Sequence, residues 1–329
     1  MADVRPAREG VTMAAVPSVR QRPSGDTRGP GGRGPTRAQR RARDIARVRR
    51  ARHLIQAGVA VFLLVVALRH HTGESGSTAS MDAVCPFGGV ETLVTWATTG
   101  ELISRTHPSN LILGLAVLVA AVLVGNAFCG WICPFGAVQD ALAWLRRRLR
   151  LPAVRVPRRA DRIMRYGRFV VLGVVVYASV HTARLWFADY DPYATLFGLG
   201  WLFEFDPAAM WPALLITGLV LAASLVVDRF WCRYLCPLGA VFSLVGHLSF
   251  LRIRRVPSTC TDCRLCDRTC PVGLEPSRAR PFVSADCIGC MDCVTTCPVK
   301  GALGVDGPVL AGVPRHRDLE RVSRIRVGR

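Results

Sequence analysis

Thirteen cysteines carry the chemistry open to this chain, and eight of them fall in two copies of one run. The first reads C-T-D-C-R-L-C-D-R-T-C-P from Cys260 to Pro271, the second C-I-G-C-M-D-C-V-T-T-C-P from Cys287 to Pro298. A [4Fe-4S] cube needs four thiolates, and three closely spaced cysteines wrap one cube only if a fourth arrives from elsewhere. In a paired arrangement the fourth cysteine of each run serves the other cube. That assigns Cys260, Cys263, Cys266 and Cys297 to one cluster, and Cys287, Cys290, Cys293 and Cys270 to the second. Pro271 and Pro298 stop the local helix and turn each bridging cysteine away from its own run. Zinc sites favour pairs of CxxC with wider gaps, and adjacent CxxCxxC runs make poor disulfide geometry, so both alternatives rank well below the cubes.

Four further thiols form a second repeat. C-G-W-I-C-P-F-G-A-V from Cys129 matches C-R-Y-L-C-P-L-G-A-V from Cys232, which pairs Cys129 with Cys133 and Cys232 with Cys236. Each copy runs on into an apolar stretch ending in arginines, Leu142 to Arg150 and Val241 to Arg255. Proline suits the first turn of a helix and disfavours helix in the residue before it. Each copy is therefore expected to be a transmembrane helix, a break at the second cysteine, then a surface helix. Four thiolates are the stoichiometry of another cube, but two redox dithiols or small apolar residues at a helix contact satisfy the same pattern. A redox or cluster role is carried forward with the others left open. Cys85, in C-P-F-G-G-V, is nearly a third copy without the first cysteine, either buried by a re-entrant turn or a free thiol, and receives no ligand role.

The elements that must position these thiols follow from composition. Half of the 329 residues are hydrophobic, yet the formal net charge is +20. Soluble proteins seldom combine these, whereas membrane proteins with arginine-rich loops do. Clusters rather than disulfides dominate the cysteine accounting, and reduced thiolate ligands fit a reducing cytoplasm. The expected fold is an α-helical polytopic membrane protein of about four transmembrane helices with a C-terminal α+β unit of bacterial two-cluster ferredoxin type. Its expected parts are a disordered basic arm (1–50), a membrane domain (51–255), the cluster unit (256–305) and a basic tail (306–329).

Residues 1–52 carry fourteen arginines and scattered Pro, Gly and Ser, and helix is expected from about Ala38. A basic arm could bind nucleic acid, but contact with anionic lipid, at about 1 kcal/mol per arginine, is the preferred reading. The charged region before Leu54 is too long for a signal peptide, although Ser77-Thr78-Ala79 could pass for a cleavage site. Four apolar segments follow, near Leu54–Leu68, Leu111–Phe128, Phe169–Phe187 and Trp211–Val227. A spanning helix wants about 20 apolar residues, and the first segment spans only if Gln56, His53, His70 and His71 sit at the interfaces. The arm's fourteen arginines and ten between Arg146 and Arg168 face one between Thr72 and Asn110 and none between Ala188 and Ala209. Both termini and the cluster unit are therefore expected on the cytoplasmic side of the plasma membrane. Arg69 and Arg184 are exceptions too few to reverse that bias. The connections holding Glu74, Asp82, Glu91, Glu101, Asp189, Asp191, Glu204 and Asp206 face outward, with Tyr193–Phe203 dipping into the outer interface. His70, His71 and His181 near the outer helix ends raise haem and quinone-headgroup readings, the latter preferred, with Arg184 equally able to hold a lipid phosphate.

With those residues in hand, the chain resembles the membrane-bound polyferredoxin family that includes NapH, the membrane part of NosR and YccM-like electron-transport proteins. The resemblance covers roughly residues 54–303 and rests on the Cys85-Pro86 stretch, the two CxxxCP copies and the paired cluster runs. It implies quinol-linked or cytosol-linked electron transfer to a separate reductase or dehydrogenase; the large flavin-binding region of NosR has no counterpart here. The expected role is an electron-transfer subunit with two cubes, a further cluster or dithiols at the CxxxCP pairs, and quinone as a candidate ligand. No catalytic acid, base or nucleophile is assembled. The competing class is an iron–sulfur sensor, regulator or maturation factor at the membrane.

Overall fold

The computed structural model describes residues 37–72, 85–100, 109–154, 156–182, 184–203, 206–280, 282–299 and 301–306. The first 36 residues of the arm, the tail after residue 306, the Ser77–Ala79 stretch, and Glu74, Asp82, Glu101 and Glu204 lie outside them. Helix α1 runs from Arg37–Thr72 without interruption, so the distal arm and the first apolar segment are one element. Its start agrees with the expected one near Ala38. Its basic half is rich in Ala and Arg and has no Gly or Pro before Gly58, which is what a long helix requires.

The remaining elements in chain order are α2 (Pro86–Thr99), α3 (Ser109–Val124), α4 (Ala127–Trp131), α5 (Pro134–Arg148), α6 (Arg158–Met164), α7 (Gly167–Thr182), α8 (Pro192–Phe197), α9 (Gly200–Phe203), α10 (Pro207–Val226), α11 (Phe230–Tyr234), α12 (Pro237–Val245), β1 (Arg252–Arg255), α13 (Leu265–Thr269), α14 (Asp292–Thr296) and β2 (Leu303–Asp306). Among the described residues, three helical stretches are long and apolar enough to cross a membrane: Arg43–Thr72, Arg158–Thr182 and Pro207–Val226. The fourth expected span is shorter. Helix α3 has 16 residues, about 24 Å of rise against a hydrocarbon core of about 30 Å, and ends where Gly125 takes φ 59°.

Four further expectations are corrected. Residues 86–99 are a helix, not a connection, and α2 packs along α3 where a Cβ on Gly89 would lie 2.8 Å from the Gly114 backbone nitrogen; small residues let the two backbones approach. Each CxxxCP copy breaks twice rather than once. The long helix ends before the first cysteine, at Gly125-Asn126 or at Arg229 (φ 53°), and a five-residue helix, α4 or α11, carries that cysteine. The break at the second cysteine is as expected, with Pro134 and Pro237 in the first turn of α5 and α12. Helix α12 is not on the surface: Pro237 to Ser243 are all buried against α3, α7 and α2. Gln56 is fully buried and donates to the Gly130 carbonyl at 3.0 Å, so α1 need not place this amide at an interface.

The C-terminal unit is a small α+β body. Strands β1 and β2 pair antiparallel from Arg252 opposite Asp306 to Arg255 opposite Leu303, and α13 packs on α14. Buried Ile253, Val283, Met291, Leu303 and Val305 fill its core, and Val48 of α1 packs against them.

Candidate functional site

The two cluster runs adopt the same local backbone. Asp262 and Gly289, two residues into each run, have φ 51° and 58°, and Arg264 and Met291, two further on, have φ 54° and 63°. Alternation of right- and left-handed residues curls a loop so that successive N–H groups face one centre, a geometry suited to anions and iron–sulfur clusters. Helices α13 and α14 then end at Cys270 and Cys297, both extended before proline, as the proline steps predict.

Cys260, Cys263, Cys266 and Cys297 line one cavity of about 20 Å³. The other four thiols are neighbours too. Burial pushes Cys287 and Cys290 up to about 12, and the charge of Cys270 adds to both. Cys293 is raised well above the ordinary thiol range by burial, then by Cys287, Cys290 and Cys270. Buried thiols this reluctant to ionise become thiolates only against a positive centre, which bound iron supplies. Among the described residues no group of three or more His, Cys, Asp or Glu is disposed around a single metal ion. Four of the thiols line one cavity, and the preference for cubes over zinc rests on the spacing within the two runs.

The CxxxC thiols meet around a second cavity, of about 50 Å³. Cys129, Cys133, Cys232 and Cys236 line it together with Cys85, Asp191 and Tyr193, and its remaining wall is apolar, including Phe87, Phe187 and Trp231. Cys85 is half-buried and shares this cavity with the four CxxxC thiols, because α2 starts at the cavity and runs away from it. The segment around Asp191 also reaches it, with Phe187 stacked on Trp231, centroids 6.4 Å apart. The Gln139 amide, fully buried, donates to Cys232 Sγ at 3.0 Å and accepts from the Trp231 N–H at 3.2 Å, fixing α11 against α5.

The cluster unit packs against α4, the short helix that carries Cys129. The Trp131 indole donates to the Gly289 carbonyl at 2.9 Å and the Asn126 amide to the Ala285 carbonyl at 2.7 Å. Gly130 has no room for a side chain, because an added Cβ would run into the Ile288 carbonyl oxygen. Cys129 and Cys232 also line a smaller cavity with Asp286 and Ile288, beside the second cluster run. Charge reinforces the contact. Arg165 and Arg168 pair with Asp286, next to Cys287. Burial would raise Asp286, but Arg168 foremost holds it below the usual carboxylate range. Asp292, next to Cys293, takes Arg49 at 3.0 Å and Arg52 at 3.4 Å; Arg52 reaches on to Asp140 at 3.3 Å. Asp140 grips Arg229 through two hydrogen bonds of 2.9 and 2.6 Å, and Arg229, 1% exposed, donates to the Cys129 carbonyl at 2.9 Å. A continuous chain of charge thus joins the second cluster run to the CxxxC pairs.

The histidines lie elsewhere. His71 contacts the Gly198 carbonyl at 2.9 Å and stacks on Phe203, His70 packs edge-on to His71, and His181 lies against Tyr177. None of the three is among the residues lining these cavities. Sequence reasoning placed Asp191 only among the outward-facing carboxylates, and missed Gln139, Asp140 and Arg229 as site residues. Only Asp191 left a trace, an Asp-Pro step resembling the Cys-Pro steps; the others are single polar residues in apolar or basic stretches, without any spacing to mark them.

Comparison with known proteins agrees with this partition. Residues 106–152 and 209–256, one CxxxCP copy each, match a family described as a 4Fe-4S binding domain, and residues 252–298 match a 4Fe-4S dicluster domain. No solved structure matches. The chain is 28% identical to the putative electron transport protein YccM of Escherichia coli K12, over 78% of this chain and 74% of that protein. It is 33% identical to protein NirI of Paracoccus denitrificans, over 59% of this chain and only 29% of NirI. With the ferredoxin-type protein NapH of Haemophilus influenzae it shares 34% identity over 62% of this chain and 71% of NapH. By that coverage, and by the two kinds of 4Fe-4S segment it carries, the chain belongs to the membrane-bound polyferredoxin family to which NapH belongs.

Proposed function

We propose that the protein is a membrane-bound electron-transfer subunit that passes electrons between a lipid-soluble carrier such as quinol, or a cytosolic donor, and a partner oxidoreductase. In this reading Cys260, Cys263, Cys266 and Cys297 hold one [4Fe-4S] cube, Cys287, Cys290, Cys293 and Cys270 the second, and Cys129, Cys133, Cys232 and Cys236 a further centre. When bound, such clusters supply one-electron transfer with little movement of their ligands. The chain's own part is to hold the three thiol sets in sequence. The reading rests above all on one observation: Cys129 and Cys232 line a cavity together with Ile288 and Asp286, at the second cluster run. Its neighbours serve that placement. Gln139 orients Cys232, Arg229 fixes the Cys129 backbone, and Phe87, Phe187 and Trp231 keep water from the thiols. The names of YccM, an electron transport protein, and NapH, ferredoxin-type, support the same role. Both termini and the cluster unit are assigned to the cytoplasmic side on the arginine distribution.

The test is anaerobic purification of the full chain in detergent, with iron analysis and paramagnetic resonance after dithionite. About eight irons in the two C-terminal cubes, plus iron lost selectively when Cys129, Cys133, Cys232 and Cys236 become alanine, is the expected result. Stoichiometric zinc without a reducible signal would overturn the cubes. Unchanged iron content and unchanged reduction by a quinol analogue in the fourfold variant would reduce the CxxxC thiols to packing.

A further inference from the structure

Cys85 repeats the local structure of Cys133 and Cys236. Each of the three is the residue before a helix, with proline in the first turn and glycine two residues after the proline. Their backbone angles nearly coincide, at φ/ψ −73°/116°, −61°/115° and −64°/116°. The helices they open, α2, α5 and α12, have 14, 15 and 9 residues. All three cysteines line the cavity that Cys129 and Cys232 also line.

Two physical points make this more than a coincidence of motif. The first turn of each helix has N–H groups without partners inside the helix, and the aligned peptide dipoles place partial positive charge there. Three such ends at one cavity favour negative charge inside it, and the Gly239 N–H already donates to Cys236 Sγ at 3.4 Å. The second point is space. Cysteines that serve only as small apolar residues close up against their neighbours at interior packing density, whereas these five border a cavity of about 50 Å³. Converging N-termini, five thiols and a mostly apolar wall, interrupted by Asp191 and Tyr193, describe the shell of a thiolate-bound group.

We propose that Cys85 is a ligand of the metal centre in this cavity, so that an iron–sulfur cluster there takes thiolates from three Cys-Pro helix starts instead of two. The proposal rests on the reading that the CxxxC thiols hold a cluster. Ligation exchanges the S–H bond of Cys85 for an Fe–S bond and releases one proton, with no change of oxidation state. A cube takes four terminal thiolates, so five thiols are one more than a single cube needs. Removing Cys85 therefore alters the centre's spectrum and lability before its iron count.

The experiment uses the full chain in membranes and compares Cys85→Ser with the fourfold alanine variant of Cys129, Cys133, Cys232 and Cys236. In Cys85→Ser the paramagnetic signal of the two C-terminal cubes stays unchanged, the remaining signal changes shape, and a chelator strips that iron about tenfold faster or more. A second measurement needs no variant: Cys85 of the wild-type protein is protected from a membrane-permeant alkylating reagent while iron is bound, and is modified after chelation. A Cys85→Ser protein with wild-type signal and chelation rate, or Cys85 labelling equal before and after chelation, overturns the proposal. If the fourfold variant keeps all its iron, the cluster reading itself fails. If it loses iron while Cys85→Ser behaves as wild type, only the role of Cys85 is wrong.

Discussion

Arg229 concentrates the energetics of the site in one side chain. It is buried, adopts a left-handed backbone (φ 53°), holds the Cys129 carbonyl and is paired to Asp140 through two hydrogen bonds. Removing one member of a buried pair leaves a charge without compensation, typically worth about 3–5 kcal/mol, whereas replacing both with apolar residues is often nearly neutral. Arg229→Met is thus expected to lower the unfolding midpoint in detergent markedly, and Arg229→Met with Asp140→Leu to recover most of the loss. A double variant no more stable than the single one would show that the pair does not carry the contact. The acid side has a defined sign. Burial acts to raise Asp140, but the charge and hydrogen bonds of Arg229 and the charge of Arg52 outweigh it and hold the carboxyl below its ordinary value. Its contribution is complete above the unfolded pKa, about 3.9, and is lost as pH falls through the lower folded value. In Arg229→Met the buried Asp140 loses its main partner and its carboxyl rises, so the stability gap to wild type should be full at neutral pH and narrow as pH falls, first through the raised value in the variant and then through the lowered one in the wild type.

Between elements, glycines report where backbones meet. Gly130 lies where α4 meets the Ile288 carbonyl, whereas a Cβ added to Gly218 of α10 would have nothing within 4 Å. Alanine at 130 must push the cluster unit away or distort α4, at a cost of about 1–3 kcal/mol. Alanine at 218 meets nothing and gains helix propensity, up to about 1 kcal/mol. Limited proteolysis of the folded protein should show faster cutting between the membrane helices and the cluster unit in Gly130→Ala, and no change in Gly218→Ala. Equal protection in both would mean that the unit is not held by this contact. The proline steps were legible in the sequence because proline constrains its own φ and the residue before it. The extra breaks ahead of Cys129 and Cys232 were not. Asn126 leaves its helix for the Ala285 carbonyl of the cluster unit, and Arg229 for Asp140 and the Cys129 carbonyl about a hundred residues earlier, contacts that exist only once distant parts of the chain have packed together.

For the whole molecule, the arginine distribution and the helix lengths make separable claims. If α7 spans the membrane with the arginine-rich connection inside, a reporter fused at Pro152 is active only as a cytoplasmic reporter and one fused at Asp206 only as an extracytoplasmic one. Both reporting the same side would remove α7 from the list of spans. A fusion at Gly100, between α2 and α3, tests the shorter pair: an extracytoplasmic signal there means that α3 crosses despite its 16 residues.

Much of this protein could be read from its sequence because the information is local. The spacing within Cys260–Cys270 and Cys287–Cys297 limits which thiols can reach one cluster, proline ends or begins helices where it stands, and apolar length with arginine-rich flanks marks membrane helices. The fate of Cys85, the burial of Gln56 and α12, and the chain of charge from Asp292 through Arg52 and Asp140 to Arg229 could not be read that way. Each depends on residues far apart in the chain, such as Arg52 with Asp292 or Gln139 with Cys232. Gln56 looks like an interfacial amide until the Gly130 carbonyl meets it, and Cys85 like an outer thiol until α2 starts at the cavity of the CxxxC thiols. Local rules determine which residues can do the chemistry; only tertiary packing, by deciding which buried polar groups satisfy one another, brought five thiols to one cavity and set the cluster unit against α4.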